Sequence, residues 1–181
     1  MIVVMLLHMT REFALDRFRG ARWFSWFTGA PLIGFLYVCG ITGYWLVWDR
    51  LAQYVATTST ELIDWMPIFG EPIARNFLEP SSLSDRFFTL LVYLHIAVPI
   101  VLLFVMWIHI QRISHPKINP PRLLGAIVLV ALLVVSLAMP AVSQGPADLA
   151  QIPTPVRLDS FYLILYPLAD RAPGAAWAAM T

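Results

Sequence analysis

Apolar residues along this chain gather in blocks rather than alternating with polar ones. Three blocks come close to or exceed the roughly 20 residues that a helix needs to cross a bilayer core. They are Trp23 to Trp48, Phe87 to Ile110 and Leu123 to Met139, and none contains Asp, Glu, Lys or Arg. Lipid satisfies no backbone group, so each block is expected to be a helix, the third crossing nearly straight and the first two long enough to tilt. Met1 to Leu7 is apolar but too short to span, and it has neither a basic leader nor a small-residue cleavage site. It reads as the last two turns of a helix rather than a signal peptide. In the long connection between the first and second blocks, Leu62, Ile63, Trp65 and Met66 follow Ser59 and Thr60. Ala56 to Met66 is therefore expected to form a short amphipathic helix on the membrane surface, broken by Pro67 and Gly70.

Composition agrees with that pattern. Of 181 residues, 59% are apolar and 13% charged, against about 25% charged in ordinary soluble domains. A mean hydropathy of +0.72 in a 20.4 kDa chain exceeds what a globule of that size can hide from water. The fold class expected is an all-α membrane protein of three transmembrane helices, an N-terminal helix stub and surface amphipathic helices, forming one domain over residues 1–181. A net charge of +1, with no basic run between the blocks, argues against nucleic acid as a partner. Cys39 is the sole cysteine, so the chain has no intrachain disulfide and no covalent haem attachment.

Basic residues set the expected direction. Arg11, Arg17, Arg19 and Arg22 precede the first block, and Arg112, Lys117 and Arg122 lie between the second and third, which together make seven of the twelve. The connection from Asp49 to Arg86 holds three Arg against six acids, and the tail after Met139 two Arg against three acids. The basic loops belong inside, so a multi-pass protein with a cytoplasmic N-terminus, in a bacterial-type inner membrane, is expected.

Chemistry concentrates on histidine. His95 and His109 are 14 residues apart in one block, just under four helical turns, so both rings leave the same face about 21 Å apart along the axis. His8 ends the stub just before Arg11, at a depth similar to His109 just before Arg112. Ionisable groups at membrane depth are costly and usually functional, and a neutral imidazole is a good axial haem ligand. His8 and His109 are thus candidates for one complete bis-histidine site. A hydrogen bond to a neighbouring helix is the plainer use of a lone membrane histidine. His115, before Pro116, is expected to be solvated. Gly29 and Gly43 are also separated by 14 residues, as though each left room beside a flat macrocycle, whereas Gly34 and Gly40 suit close helix packing.

Taken together these residues resemble cytochrome b, the dihaem quinol-oxidising subunit of cytochrome bc complexes. His8-Met9-Thr10-Arg11 resembles the end of that family's second helix, and Thr28-Gly29 through Thr42-Gly43-Tyr44-Trp45-Leu46-Val47-Trp48 its third. Arg86-Phe87-Phe88, His95-Ile96-Ala97-Val98-Pro99 and His109 resemble its fourth. The resemblance implies haem b between His8 and His109 on the cytoplasmic side and a second haem b on His95 toward the outside. It implies Arg86 near a haem propionate, although the family's arginine stands one turn closer to its histidine. The partner of His95 would fall before Met1, so the outer haem lacks one ligand here. A misplaced start, a split gene or a complementing cytochrome b fragment would account for the gap. The stretch Ile152 to Leu163 resembles the loop at the family's quinol pocket, with Leu158-Asp159-Ser160-Phe161 in place of Pro-Glu-Trp-Tyr.

Asp159 then offers a carboxylate that accepts a quinol proton, or else caps a helix FYLILY after Ser160. The expected function is membrane electron transfer, with quinol oxidised outside and quinone reduced on the cytoplasmic side. A Rieske-type iron–sulfur protein and a cytochrome c are partners the resemblance implies. A haem-free membrane scaffold or truncated remnant, and a dihaem quinone-linked subunit of another oxidoreductase, stand as alternatives.

Overall fold

The computed structural model describes residues 2–66, 68, 78–111, 119–159 and 162–180. Among them the chain is helical, with no strand beyond an isolated antiparallel bridge between Asp49 and Pro146. Helices run in the order α1 (Ile2–Ala14), α2 (Trp23–Val47), α3 (Arg50–Asp64), α4 (Asp85–Gln111), α5 (Arg122–Ala138), α6 (Tyr166–Arg171) and α7 (Pro173–Met180), with a short 3₁₀ turn, Gly20–Arg22, leading into α2.

Helices α2 and α4 form an antiparallel pair, and both are long and apolar enough to cross a bilayer. Each carries a proline, Pro31 and Pro99, which a membrane helix tolerates because neighbours re-satisfy the freed carbonyl. Pro99 stands four residues after His95 and so gives its carbonyl no helical N–H. The C-terminal end of α2 and the N-terminal end of α4 are tied by aromatic contacts, Trp45 on Phe87 and Trp48 on Phe88. Most of both surfaces is apolar and open: Leu103 is 67% exposed, as suits contact with lipid tails rather than water. The third apolar block forms α5, whose 17 residues extend about 25 Å. It has no buried residue, and Leu137 is 83% exposed.

The closest-packed region lies where the extramembrane segments cover the end of α2. Leu51, Val55, Leu163 and Tyr166 are buried there against Ile41, Tyr44 and Trp45. Trp48 takes a left-handed backbone, φ 48°, turning the chain sharply from α2 into α3. Asp49 caps α3 by accepting from the Ala52 amide at 2.9 Å. The amphipathic helix is therefore real but begins at Arg50 rather than near Ser59. Ser59 and Thr60 bond back to the Val55 and Ala56 carbonyls inside it, so they are interior residues and not its cap. At its other end Trp177 donates to the Leu62 carbonyl at 2.8 Å, and Gly174 leaves room for the Trp65 ring.

Three further expectations change. The N-terminal helix does not close at His8 but continues to Ala14, its last turns carrying Glu12, on which Arg11, Arg17 and Arg22 converge. The segment after Ser160 is not a helix at once: residues 162–165 make turns and α6 starts only at Tyr166. Its apolar side chains are used in packing, with Leu163 buried and the Tyr162 ring lying on Gly40. Gly40 is thus a close-packing glycine, whereas a side chain at Gly34 would meet nothing within 4 Å. His115 and the Ser160-Phe161 pair lie outside the described residues, as do Pro67 and Gly70.

Candidate functional site

Antiparallel pairing of α2 and α4 brings each histidine of α4 onto a Thr-Gly pair of α2. His109 lies on Gly29, where a Cβ would stand 2.9 Å from its Cε1, and its Nδ1 is 3.1 Å from Thr28 Oγ1. His95 lies on Gly43, where a Cβ would stand 3.2 Å from its Cε1, and its Nδ1 is 2.8 Å from Thr42 Oγ1. The glycines therefore make room for the imidazoles themselves, which is a different reason for them than a macrocycle beside the helix. Moving 14 residues along α2 and 14 back along α4 reproduces the same contact. The chain consequently holds two copies of one device at two depths.

The device at His109 opens on a cavity of about 610 Å³ between α1, the 3₁₀ turn, α2 and α4, within the range of small-molecule and cofactor pockets. His8 and His109 both line it, with Met5, Leu32, Ile33 and Met106 as apolar wall. Arg11, Arg17 and Arg22 also line it, and all three pair with the single carboxylate of Glu12, at 2.6, 3.4 and 3.5 Å. Three guanidiniums on one carboxylate leave an excess of positive charge at this mouth. Two imidazoles, an apolar wall and a cationic rim suit a flat apolar macrocycle carrying an iron and peripheral carboxylates. Among the described residues no group of three or more His, Cys, Asp or Glu gathers as for a bare metal ion. A porphyrin needs only two axial ligands from the protein, because its ring supplies the rest.

At the other depth the surroundings differ. His95 is half-buried. Arg86 stands in the first turn of α4 and is exposed. Nine residues separate it from His95, about two and a half turns, so it leaves the helix on roughly the opposite side. Asp159 does come to this end of the pair. Tyr44, next to Gly43, donates a short hydrogen bond to Asp159 Oδ2, and Asp159 Oδ1 accepts from the Tyr162 amide at 3.3 Å. The Tyr162 ring in turn contacts Tyr37 and Tyr44.

The loop that brings Asp159 here is held by two glutamine amides. Buried Gln53 donates to the Asp148 and Gln151 carbonyls at 2.8 and 2.9 Å and accepts from the Asp148 amide at 2.8 Å. Gln144 pairs in the same way with both backbone groups of Arg157. Asp49 Oδ2 accepts from the Gln144 amide. Burial pushes the Tyr166 hydroxyl of this region up to about 12, and it meets Ser59 Oγ at 2.8 Å. Sequence reasoning missed Thr28, Thr42, Tyr44, Gln53, Gln144 and the arginine trio. The Thr-Gly pairs share the histidines' 14-residue step, which is the signal that points to the threonines.

A lipid-facing helix pair that stations imidazoles at two depths places this chain among integral membrane proteins of the all-helical bundle class. The profile of the family described as cytochrome b (N-terminal)/b6/petB matches residues 1–135. The chain belongs to the cytochrome b family, as a membrane subunit of complexes of the bc or b6f type. That match takes in α1, α2, α4 and all three intramembrane histidines and ends before the loop of Asp159. No solved structure matches the chain.

Proposed function

We propose that this chain is the haem-binding, quinol-handling subunit of a bc-type respiratory complex. The observation that carries the reading is the doubled Thr-Gly and histidine contact, with a second imidazole, His8, across the cavity from one copy. His8 and His109 would hold one haem b there, and the cationic rim formed by Arg11, Arg17 and Arg22 would face its carboxylates. His95 would supply one ligand of a second haem b. Bound in this way, haem b provides a one-electron redox centre with no protein radical needed.

The chain's own groups do the rest. Apolar walls keep water from the imidazoles, and Gly29 and Gly43 let the rings lie close to α2. Two levels about 21 Å apart cover most of a core about 30 Å thick. At the other end Asp159 would take a proton from a quinol hydroxyl, a role supported by Tyr44, which holds the carboxylate, and by Tyr162 packed beside it. The distribution of Arg and Lys supports a cytoplasmic N-terminus in a bacterial inner membrane. Quinone reduction would then fall on the cytoplasmic side, near His8 and His109. A Rieske-type iron–sulfur protein and a cytochrome c would take the electrons that leave outside.

A reduced-minus-oxidised visible spectrum of the purified chain tests this reading. It should show a b-type band that His109→Ala abolishes and His115→Ala leaves intact. Absence of the band in the unmodified chain, or equal loss in both variants, would refute the ligand assignment.

A further inference from the structure

Thr28 and Thr42 each have one hydroxyl hydrogen, with two α2 carbonyls and an imidazole nitrogen within reach of it. Thr28 Oγ1 lies 2.8 Å from the Phe24 carbonyl, and Thr42 Oγ1 lies 2.7 Å from the Val38 carbonyl, in each case four residues back in α2. A carbonyl can only accept, so the hydrogen goes there. Each threonine oxygen is then left as an acceptor, and the imidazole nitrogen facing it must carry the N–H. Since only one nitrogen of a neutral imidazole is protonated, the network assigns Nδ1–H and leaves a lone pair on Nε2. That is the nitrogen directed away from α2's hydroxyl and free for a ligand.

We infer that Thr28 and Thr42 are paired positioning residues, each fixing the tautomer and ring orientation of one histidine, so that two redox levels are tuned separately by two hydroxyls on one helix. The inference rests on the haem reading above. It adds that the threonines are used in trans, although in a membrane helix their bond to the preceding turn would explain them without any partner. Two features argue for the added use. The same four atoms recur at both depths, 14 residues apart on each helix, and both threonines are among the few buried residues of α2. An outer partner that accepts from Nδ1–H strengthens the ligand nitrogen and favours the oxidised metal.

Thr28→Val keeps the shape and removes the acceptor, whereas Thr28→Ser keeps the acceptor. In the purified chain loaded with haem, Thr28→Val should raise the reduction potential of the His109-level haem. It should weaken haem retention roughly 10- to 100-fold, the usual range for such partners. Thr28→Ser should behave as the parent. In the assembled complex Thr42→Val should shift only the other b-type component. Imidazole ¹⁵N shifts of the haem-free chain give a second readout, in which Thr28→Val raises the share of His109 protonated at Nε2. Unchanged potentials and unchanged ¹⁵N shifts in Thr28→Val, with the b-type band present, would overturn the inference and leave the haem reading standing. A serine variant as impaired as the valine one would also overturn it, because packing rather than the hydroxyl would then be at work. Loss of the band from the parent chain would remove the haem reading itself, and the ¹⁵N comparison would still decide the tautomer.

Discussion

Replacing Gly29 by alanine puts a single methyl where the His109 ring now lies. The new Cβ would stand 2.9 Å from Cε1 and 3.4 Å from Nδ1. Ordinary carbon contacts begin near 3.4 Å, so ring or helix must retreat by about half an ångström. The ring is not a loose end: Thr28 holds it at 3.1 Å, and α2 and α4 are the most extensively paired elements of the fold. Overpacking of this kind costs about 1–3 kcal/mol, which at about 1.4 kcal/mol per tenfold is roughly 5- to 140-fold in occupancy of the aligned ring. At Gly43 the nearest approach is 3.2 Å, so the same substitution needs only a few tenths of an ångström and should cost less. At Gly34 nothing lies within 4 Å, and alanine there should change haem affinity by less than the error. Haem titrations followed at the b-type band, together with thermal melts, give the ranking Gly29→Ala worst, Gly34→Ala neutral. If Gly34→Ala lost as much as Gly29→Ala, the glycines would be serving the helix backbone and not the imidazoles.

Three other expectations follow from the outer segments. Asp159→Asn keeps the shape and the contact with Tyr44 but removes the proton acceptor, so quinol oxidation by the assembled complex should fall about 10²- to 10⁴-fold with both b-type bands intact; a rate within twofold of the parent's would show that Asp159 only organises the loop. Gln53→Leu leaves the Asp148 amide and two carbonyls without their partner, a loss of about 1–3 kcal/mol. Hydrogen exchange at Asp148 should accelerate accordingly, and unaltered protection would contradict the clamp. Burial, with Asp170 and Asp64 adding to it, pushes the Glu61 carboxyl above its ordinary value. The folded chain thus holds that proton more tightly than the unfolded one, and stability from this group is full below the ordinary carboxylate range and lost as pH rises through the raised value. Glu61→Gln should leave the melting temperature unchanged at about pH 4 and raise it slightly at about pH 8, the size limited by solvent screening at this exposed position. An equal shift at both values would exclude the charge as its cause.

The membrane helices were legible because the solvent dictates them. Uncharged blocks of this length have one backbone solution in lipid, and α2 and α4 match theirs within a residue or two. The 14-residue interval of the histidines was equally plain, since it needs only helical geometry. What the sequence hid were contacts between segments far apart along the chain. The start of α3 depends on Asp49, whose second oxygen is engaged by the Gln144 amide 95 residues away, so the nearer Ser59 and Thr60 looked like the better cap. The block after Ser160 is apolar enough for a helix. Its tyrosine instead fills the space above Gly40, and packing onto α2 and α3 outweighed local preference there. Nothing in the sequence gives Thr28 and Thr42 a partner, since a threonine in a membrane helix needs none beyond its own preceding turn.

The register of α2 against α4 explains why one short sequence can serve two depths. In an antiparallel pair the residue numbers of opposed positions have a constant sum, and here Gly29 with His109 and Gly43 with His95 both give 138. A step of just under four turns returns almost to the starting azimuth on each helix. Any geometry that satisfies one level therefore nearly satisfies the other without further design. The two contacts are not independent in folding, since sliding α4 by one residue along α2 would turn both imidazoles off their glycines at once. They are nonetheless independent in tuning, because each ring has its own hydroxyl and its own surroundings. The His109 ring shares its cavity with three arginines, while His95 lies at the end of the pair to which a clamped loop carries Asp159. A shared scaffold with separate environments is what two otherwise identical histidine sites need in order to differ in chemistry.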